Sequence, residues 1–540
     1  MCLVVSVVSV ILLSLVPPIS KDALVHHLAV PRLYIKHGGM YEIPFMDFSY
    51  YPMNLDLLYI IPLCFQNDIA PKFIHFSFGL LTAFLVFHYI RKRTNLLYGL
   101  LGALLFLSIP VIVKLSITVY VDLGETFFSF GALVFLFKWM NSDFRFRFLI
   151  LSGVFCGLAL GTKYNGLVTL ALITLFIPFI YSRYHRGVRL PFIRPVAYGL
   201  GFLLVALLVF SPWMIRNYQW RNNPVYPLYN SFFNPPGKRA APAESDGKPV
   251  RMNRGLFTYR SIIYKETGWQ IALLPVRIFF QGRDGDPRYF DGKLNPLLLF
   301  LPFFAFFRLR DDPEYLKREK KIMLVFSVLF FCIALFTSVL RIRYIAPIIP
   351  PLVILSLFGL KNLVTIFDRH RNRGIKKAGI PFIVLILIAV FSLHAHYITG
   401  RFREVDPFSY ISGKVGRDEY ISRFIPEYPA LIYINNTLDP DAKVLFIFLG
   451  KRGYYCDREY IFDIGMMHDL IRNAEKPGDM AQGLRNRGIT HLLVNYPLFE
   501  RWMKDNFSSE KQGLTRTFFR TSTRLLFHEN GFGLNALKIP

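Results

Sequence analysis

Long apolar runs broken by short polar joints dominate the chain. The first is MCLVVSVVSVILLSLVPPIS, and others cover about 71–90, 95–113, 123–139, 148–162, 165–181, 195–212, 294–308, 322–340, 345–360 and 379–397. Runs of this length read as helices that cross a bilayer, which needs about 20 apolar residues per crossing. The pattern predicts an α-helical polytopic membrane protein of about eleven transmembrane helices. The first run lacks the basic start and small-residue cleavage site of a secretory signal, so an uncleaved first span is expected, with a true start that lies upstream.

Two polar stretches and a tail interrupt this pattern. Residues 20–70 form a first loop, 213–293 a long Pro-rich loop, and 398–540 a mixed segment set apart from the membrane module of residues 1–397. In the tail, KVLFIFLG (443–450) and ITHLLVNY (489–496) read as buried strands, and Tyr420–Asn436 and Asp469–Arg487 as flanking helices, which predicts a small α/β domain.

Composition agrees with the pattern. The 540 residues are 53% hydrophobic, with 54 phenylalanines. The formal charge of +27 could point to nucleic acid, but the cations cluster beside apolar runs and no nucleic-acid module is visible. RKR at 91–93, Arg145 and Arg147, and the basic loops 182–194, 308–321 and 361–377 alternate with polar joints in step with the runs. The positive-inside rule puts those loops in the cytoplasm together with the N-terminus. The first loop, the 110–122 patch, GTKYNG, the long loop, RIRY and the tail then share the other face. The basic clusters also suit membrane lipid headgroups and lipid phosphates. The five cysteines show no paired spacing, so neither a disulfide framework nor a zinc site is expected.

The candidate chemistry collects on that shared face. Leu24, Leu28, Pro31 and Ile35 give a short helix one apolar side, and Asp22 stands at its start. Asp22 reads either as a helix N-cap or as a general base at the membrane boundary. Asp122 and Glu125 open the fourth run. Carboxylates there are costly unless they line a cavity or find a partner; the alternative for Asp122 is a solvated loop acid paired with Lys114. Lys163 in GTKYNG, and Arg341, Arg343 and Tyr344 in RIRY, suit a buried phosphate, or else snorkel to headgroups. Arg216 and Asn217, between Trp213 and Trp220, either read a sugar or phosphate or anchor the end of the seventh span. His26 and His27 lie beside Asp22 without an HExxH or third ligand, so they read as supports rather than a metal cluster.

The ordered set DALVHHLAVPRLYIKHG, YYPMNLDLLY, TVYVDLGETFF, GTKYNG, SPWMIRNYQWRNNPVYP, YFDGKLNPLLLFLP and RIRYIAPIIPP resembles the membrane-embedded GT-C glycosyltransferases. The similarity is to the bacterial branch of protein mannosyltransferases and lipid A aminoarabinose transferases. It implies a polyprenyl-phosphate-linked sugar donor and a glycan, lipid or protein acceptor. It also implies a periplasm-facing site in the bacterial inner membrane, with the tail domain on that side. Asp22 matches the family's catalytic base, and Asp122 its second carboxylate. Lys163, Arg341 and Arg343 stand where the family contacts donor phosphate. The resemblance further implies displacement with inversion. No nucleotide-sugar DxD metal motif is apparent, and a divalent metal is compatible with the chemistry but not indicated. The chain departs from the pattern at Asp22-Ala23, where several members carry Asp-Glu, and at His26-His27, where close matches carry Tyr-His. A transporter or flippase of lipid-linked sugars and an assembly or export subunit are the rival classes.

Overall fold

The computed structural model describes residues 1–185, 193–235, 256–336, 339–370 and 372–538. Parts of the 182–194 basic loop, of the long polar loop and of the 322–340 run therefore lie outside the described residues. Among the described residues, each apolar run contains a helix. Six helices among the described residues are long and apolar enough to cross a membrane by length and composition: Ala70–Arg93, Asp122–Asn141, Gly166–Tyr184, Ile193–Arg221, Ile342–Asp368 and Arg373–Val405. Leu96–Ser108 and Pro110–Ser116 make a seventh together, bent by 67°. The bend has a local cause: Ile109 precedes Pro110, and a residue before proline is driven out of the helical region, here to ψ 128°.

The run at 294–308 departs from expectation. Its helix, Leu297–Phe304, has eight residues and contains Pro302. At about 1.5 Å per residue it cannot cross a core of about 30 Å alone.

Close helix contacts rest on small residues. On Phe146–Thr162, Gly153, Gly157 and Gly161 form one stripe against Ile193–Arg221 and Asn54. A Cβ at Gly157 would meet the Ala206 carbonyl oxygen at 2.5 Å, and one at Gly161 the Asn54 amide at 2.3 Å. Such stripes let backbones approach inside a membrane, where packing substitutes for the hydrophobic drive.

The bundle has two chemically distinct ends. At one, Glu319 is fully buried and receives Arg93 at 2.9 Å and the Asn141 amide at 2.6 Å. At the other, the first loop, the Lys114–Tyr120 stretch, Lys163, the Asp284–Asp291 segment and the Arg341–Tyr344 turn meet. This is the segregation that the alternating basic and polar joints predict.

The C-terminal part folds as one five-stranded sheet: β1 Lys443–Ile447, β2 Glu459–Ile461, β3 His491–Asn495, β4 Thr523–Glu529 and β5 Phe532–Leu537, in the order β2-β1-β3-β5-β4. β1 runs parallel to β2 and β3, with Leu445 opposite Leu492, and β5 is antiparallel to β3 and β4. β1 and β3 are the two strands read from the sequence. The two expected helices are each split, because Pro429 and Pro477 start new helices, Tyr428–Thr437 and Pro477–Arg485. The β4–β5 hairpin turns at Asn530-Gly531, both with positive φ (51° and 79°), a turn pair favoured by the twist of the flanking strands.

Candidate functional site

The site begins at a break in helical geometry. Ala23–His27 is a single π-helical turn, closed by Leu28 N–H donating to the Ala23 carbonyl at 2.9 Å. Ala29–His37 then continues as an α-helix to Gly38, whose φ of 79° needs glycine. Single π turns inside helices recur at functional sites. Asp22 has the N-cap position but itself adopts helical φ/ψ and makes no side-chain cap hydrogen bond. Its carboxylate is used elsewhere: Oδ2 accepts from the Arg343 guanidinium at 2.6 Å. Burial alone would raise the Asp22 carboxyl, but Arg343 and the neighbouring histidines outweigh it and hold the group well below the usual carboxylate range. Burial pushes His26 down to about 3, so that imidazole is neutral near pH 7 and Arg343 remains the partner that counts.

A second ion pair lies alongside. Asp122, 1% exposed, receives the Lys163 ammonium on Oδ1 at 2.5 Å, and its Oδ2 has no partner among the described residues. The alternative for Asp122, a solvated loop acid paired with Lys114, does not hold. Lys114 instead binds Asp291 at 2.8 Å and Asp284 at 3.3 Å. Asp122 opens its helix, and His75 serves as a side-chain cap there: Nε2 accepts from Leu123 N–H at 3.0 Å while Nδ1 meets the Thr118 carbonyl at 3.0 Å. The positive end of the helix and Lys163 together offset the cost of the buried acid. Glu125, one turn on, is fully buried with both oxygens unpartnered among the described residues.

Aromatic faces complete the cluster. The Arg343 guanidinium lies 4.9 Å from the Tyr120 ring and 5.5 Å from Tyr344, and the Lys163 ammonium 5.1 Å from Tyr344. The Asn165 amide donates to the Tyr344 carbonyl at 3.3 Å. His26 stacks on Phe48 at 4.5 Å and stands 4.0 Å from His27. These groups lie on five separate elements, and the structure brings Asp22, His26, His27, Asp122, Lys163, Arg343 and Tyr344 together. Among the described residues no three His, Cys, Asp or Glu side chains gather as a metal-binding group.

Arg341, Arg216 and Asn217 take other positions. Arg341 points to Asp291 at 3.5 Å, and Lys114 and Lys163 belong to separate acid clusters. Arg216 donates to the Tyr50 and Tyr51 carbonyls at 2.6 and 3.1 Å, with Trp213 and Trp220 on either side. Asn217 also donates to the Tyr50 carbonyl, at 2.9 Å. Both hold the first loop by its backbone. Asp56 and His75 escaped the sequence reading. Each is a polar residue inside an apolar helix, a signal in itself because such residues are costly there without a partner.

With this geometry in hand, the similarity to known proteins is specific. The family described as dolichyl-phosphate-mannose-protein mannosyltransferase matches residues 62–215, which hold Asp122 and Lys163 but neither Asp22 nor Arg343. ArnT from Cupriavidus metallidurans in the apo state aligns with a TM-score of 0.55 at 14% identity, covering 99% of this chain and 96% of that one. The same protein bound to undecaprenyl phosphate aligns with a TM-score of 0.55 at 15% identity, covering 99% and 97%. The chain has the GT-C glycosyltransferase fold. The Archaeoglobus fulgidus oligosaccharyltransferase aligns as well, with a TM-score of 0.50 at 13% identity, over 92% of this chain and 69% of that one. No curated protein matches the chain. The fold is thus one shared with glycosyl-transfer enzymes, the family match covers residues 62–215, and the helices make the chain a multi-pass membrane protein.

Proposed function

We propose that this GT-C protein moves a sugar from a polyprenyl-phosphate carrier to a glycan, lipid or protein acceptor at the outer face of the bacterial plasma membrane. The N-terminus and basic loops then lie in the cytoplasm, and residues 398–540 form an outer domain over the membrane module of 1–397. The observation that carries this reading is the Asp22–Arg343 pair set beside Asp122–Lys163 at one end of the bundle. Two acids and two cations set side by side can serve a displacement at a phosphate-bearing carbon, an acid toward the acceptor and the cations toward the departing phosphate. The undecaprenyl phosphate bound to ArnT supports the class of carrier.

The chemistry follows from the pairing. Arg343 and Lys163 are the cations within reach of a donor phosphate, and arginine offers it a forked donor. A phosphate that draws Arg343 away releases Asp22 Oδ2. Burial, until then outweighed, raises the carboxyl and makes it a better base at the moment the donor is in place. Asp22 aligns an acceptor hydroxyl or amine and takes its proton. The acceptor attacks the anomeric carbon from the face opposite the phosphate, which inverts that centre, and the lipid phosphate departs with its electron pair against Arg343 and Lys163. Glu125, His26 and Tyr344 line the space for the sugar and phosphate, Arg341 sits at its edge, and Arg216 with Asn217 holds the loop that carries Asp22.

Purified full-length protein in nanodiscs, given undecaprenyl phosphate carrying radiolabelled mannose or aminoarabinose with envelope extract as acceptor, tests this. Transfer by the native protein, lost in a folded Asp22→Asn variant by about a hundredfold or more, is expected. Normal transfer by Asp22→Asn overturns the role of Asp22. Lipid translocation without transfer in the native protein makes the chain a flippase.

A further inference from the structure

The first loop holds another buried pair that the displacement does not use. Asp56 is 2% exposed on Asn54–Cys64, and its Oδ1 lies 2.8 Å from His27 Nδ1, itself on a ring that is 6% exposed. Among the described residues no hydrogen bond reaches the other ring nitrogen, Nε2, and it is not among the sealed, unpartnered atoms. The π turn decides where that nitrogen goes. An i to i+5 hydrogen bond stacks residues five apart on one face. His27 is five residues from Asp22, so the turn carries its ring toward the Asp22 side of the segment, near enough for that carboxylate to act on it electrostatically. An α-turn of about 3.6 residues would leave it on another side. The charged and titratable groups that act on the ring are Asp22 and His26 from its own segment, His75, Asp122, Lys163 and Arg343 from other elements, and the Tyr120 ring is 5.6 Å away. Tyr59 stands beside Asp56 and donates its hydroxyl to the Tyr120 carbonyl.

We propose that His27 takes over from Asp22 the proton removed from the acceptor, receiving it at Nε2, with Asp56 as the positioning residue that fixes the imidazole. The inference rests on the transfer reaction above. In that reaction the acceptor O–H or N–H bond breaks, the new bond to the anomeric carbon forms and the carbon–phosphate oxygen bond breaks. The lipid phosphate keeps the electron pair of that last bond. The proton lands on Asp22, passes to His27 Nε2 and leaves to water, so Asp22 is a carboxylate again for the next turnover. No other co-reactant is needed. Asp56 acts on the far nitrogen, where a buried carboxyl fixes ring orientation and proton affinity. Burial raises Asp56 and lowers His27, so the pair titrates as a unit; Nε2 can take the proton only in the form in which Asp56 is a carboxylate accepting Nδ1–H, which is the form on the alkaline side of that titration.

Two measurements test this on the full-length protein. In nanodiscs, 15N NMR of labelled histidine follows His27 without substrate. Asp22→Asn removes a negative charge beside the ring and should lower the His27 titration midpoint, and Asp56→Asn should abolish the preference of the proton for Nδ1. An unmoved midpoint in Asp22→Asn overturns the coupling. With the donor found above, Asp56→Asn and His27→Gln should each lower kcat about a hundredfold while donor KM stays within about twofold, and shift the pH profile. Asp56→Glu, which keeps the carboxyl, should recover most of that rate. A raised KM with unchanged kcat, or a pH profile that does not move, overturns the proposal. If the native protein transfers from no donor, the functional reading fails, and the NMR titration alone decides whether the pair is coupled to Asp22.

Discussion

Arg343 holds the Asp22 carboxyl in its ionised state, and this has a measurable sign. The Asp22 carboxyl is depressed in the folded chain, so the pair contributes stability that is fully present above the unfolded value near 3.8 and is lost progressively as pH falls from there toward the depressed folded value. In Arg343→Gln, burial is left as the largest influence, the carboxyl rises above its unfolded value and the sign reverses. The variant should be less stable than the native protein by about 2 kcal/mol near neutrality, with both side chains under a third exposed. That gap should narrow on acidification to about pH 3. Thermal unfolding of both proteins across this range checks it, and a gap independent of pH would show that Arg343 stabilises through packing instead. At this scale the sequence was partly legible. Asp22, Asp122, Lys163 and Arg343 stood out because charge beside apolar runs demands a reason. Which acid takes which cation did not, because Lys114, Arg341 and Lys163 are alike in sequence and only the packing separates Asp291 from Asp122.

At the scale of elements, Lys163 is where it is because helix Phe146–Thr162 ends there after lying against Ile193–Arg221 along its glycine face. The apolar runs showed that a helix exists, but not its rotation, since both lipid and neighbouring helices are apolar. The spacing of Gly153, Gly157 and Gly161 carried that information. The π turn at Ala23–His27 left no such mark, because its cause is tertiary. The turn frees the Leu24 carbonyl, which accepts from Tyr454 N–H at 3.3 Å in a loop more than four hundred residues away. Gly157→Ala tests the glycine face. A methyl group would meet the Ala206 carbonyl at 2.5 Å, and backbone cannot rotate away as a side chain can. Overpacking of this kind costs about 1–3 kcal/mol. A lower unfolding temperature in detergent is expected for Gly157→Ala, and little change for Gly201→Ala on the facing helix, whose nearest neighbour is a phenylalanine ring at 3.8 Å. Equal effects at the two sites would mean that the helices do not approach as closely as this.

The whole molecule is organised by a contact that no local pattern announces: the C-terminal sheet sits on the loop that carries Asp22. Arg32 donates to the Tyr454 carbonyl and pairs with Asp457 at 2.5 Å, Lys36 reaches the Asp457 carbonyl at 3.2 Å, and the Tyr455 hydroxyl donates to the Pro18 carbonyl at 2.7 Å. Arg417 pairs with the nearly buried Asp68 at 2.5 Å on the same flank. The sheet domain therefore supports the π turn from outside while Arg216 and Asn217 hold its other end by Tyr50 and Tyr51. This makes the loop that carries Asp22 a bridge between two bodies, and its order should depend on both. Arg32→Gln with Lys36→Gln removes cations from the outer contact alone. These are partly exposed pairs, so global stability should change by less than about 1 kcal/mol. Local opening is another matter, since a loop opens with a free energy set by its own few supports rather than by the whole fold. Hydrogen–deuterium exchange should therefore quicken in peptides spanning residues 20–38 and stay unchanged over β1 and β3. Unchanged exchange at 20–38 would mean that the loop keeps its shape without the sheet domain, and the π turn would then need a cause within the membrane module.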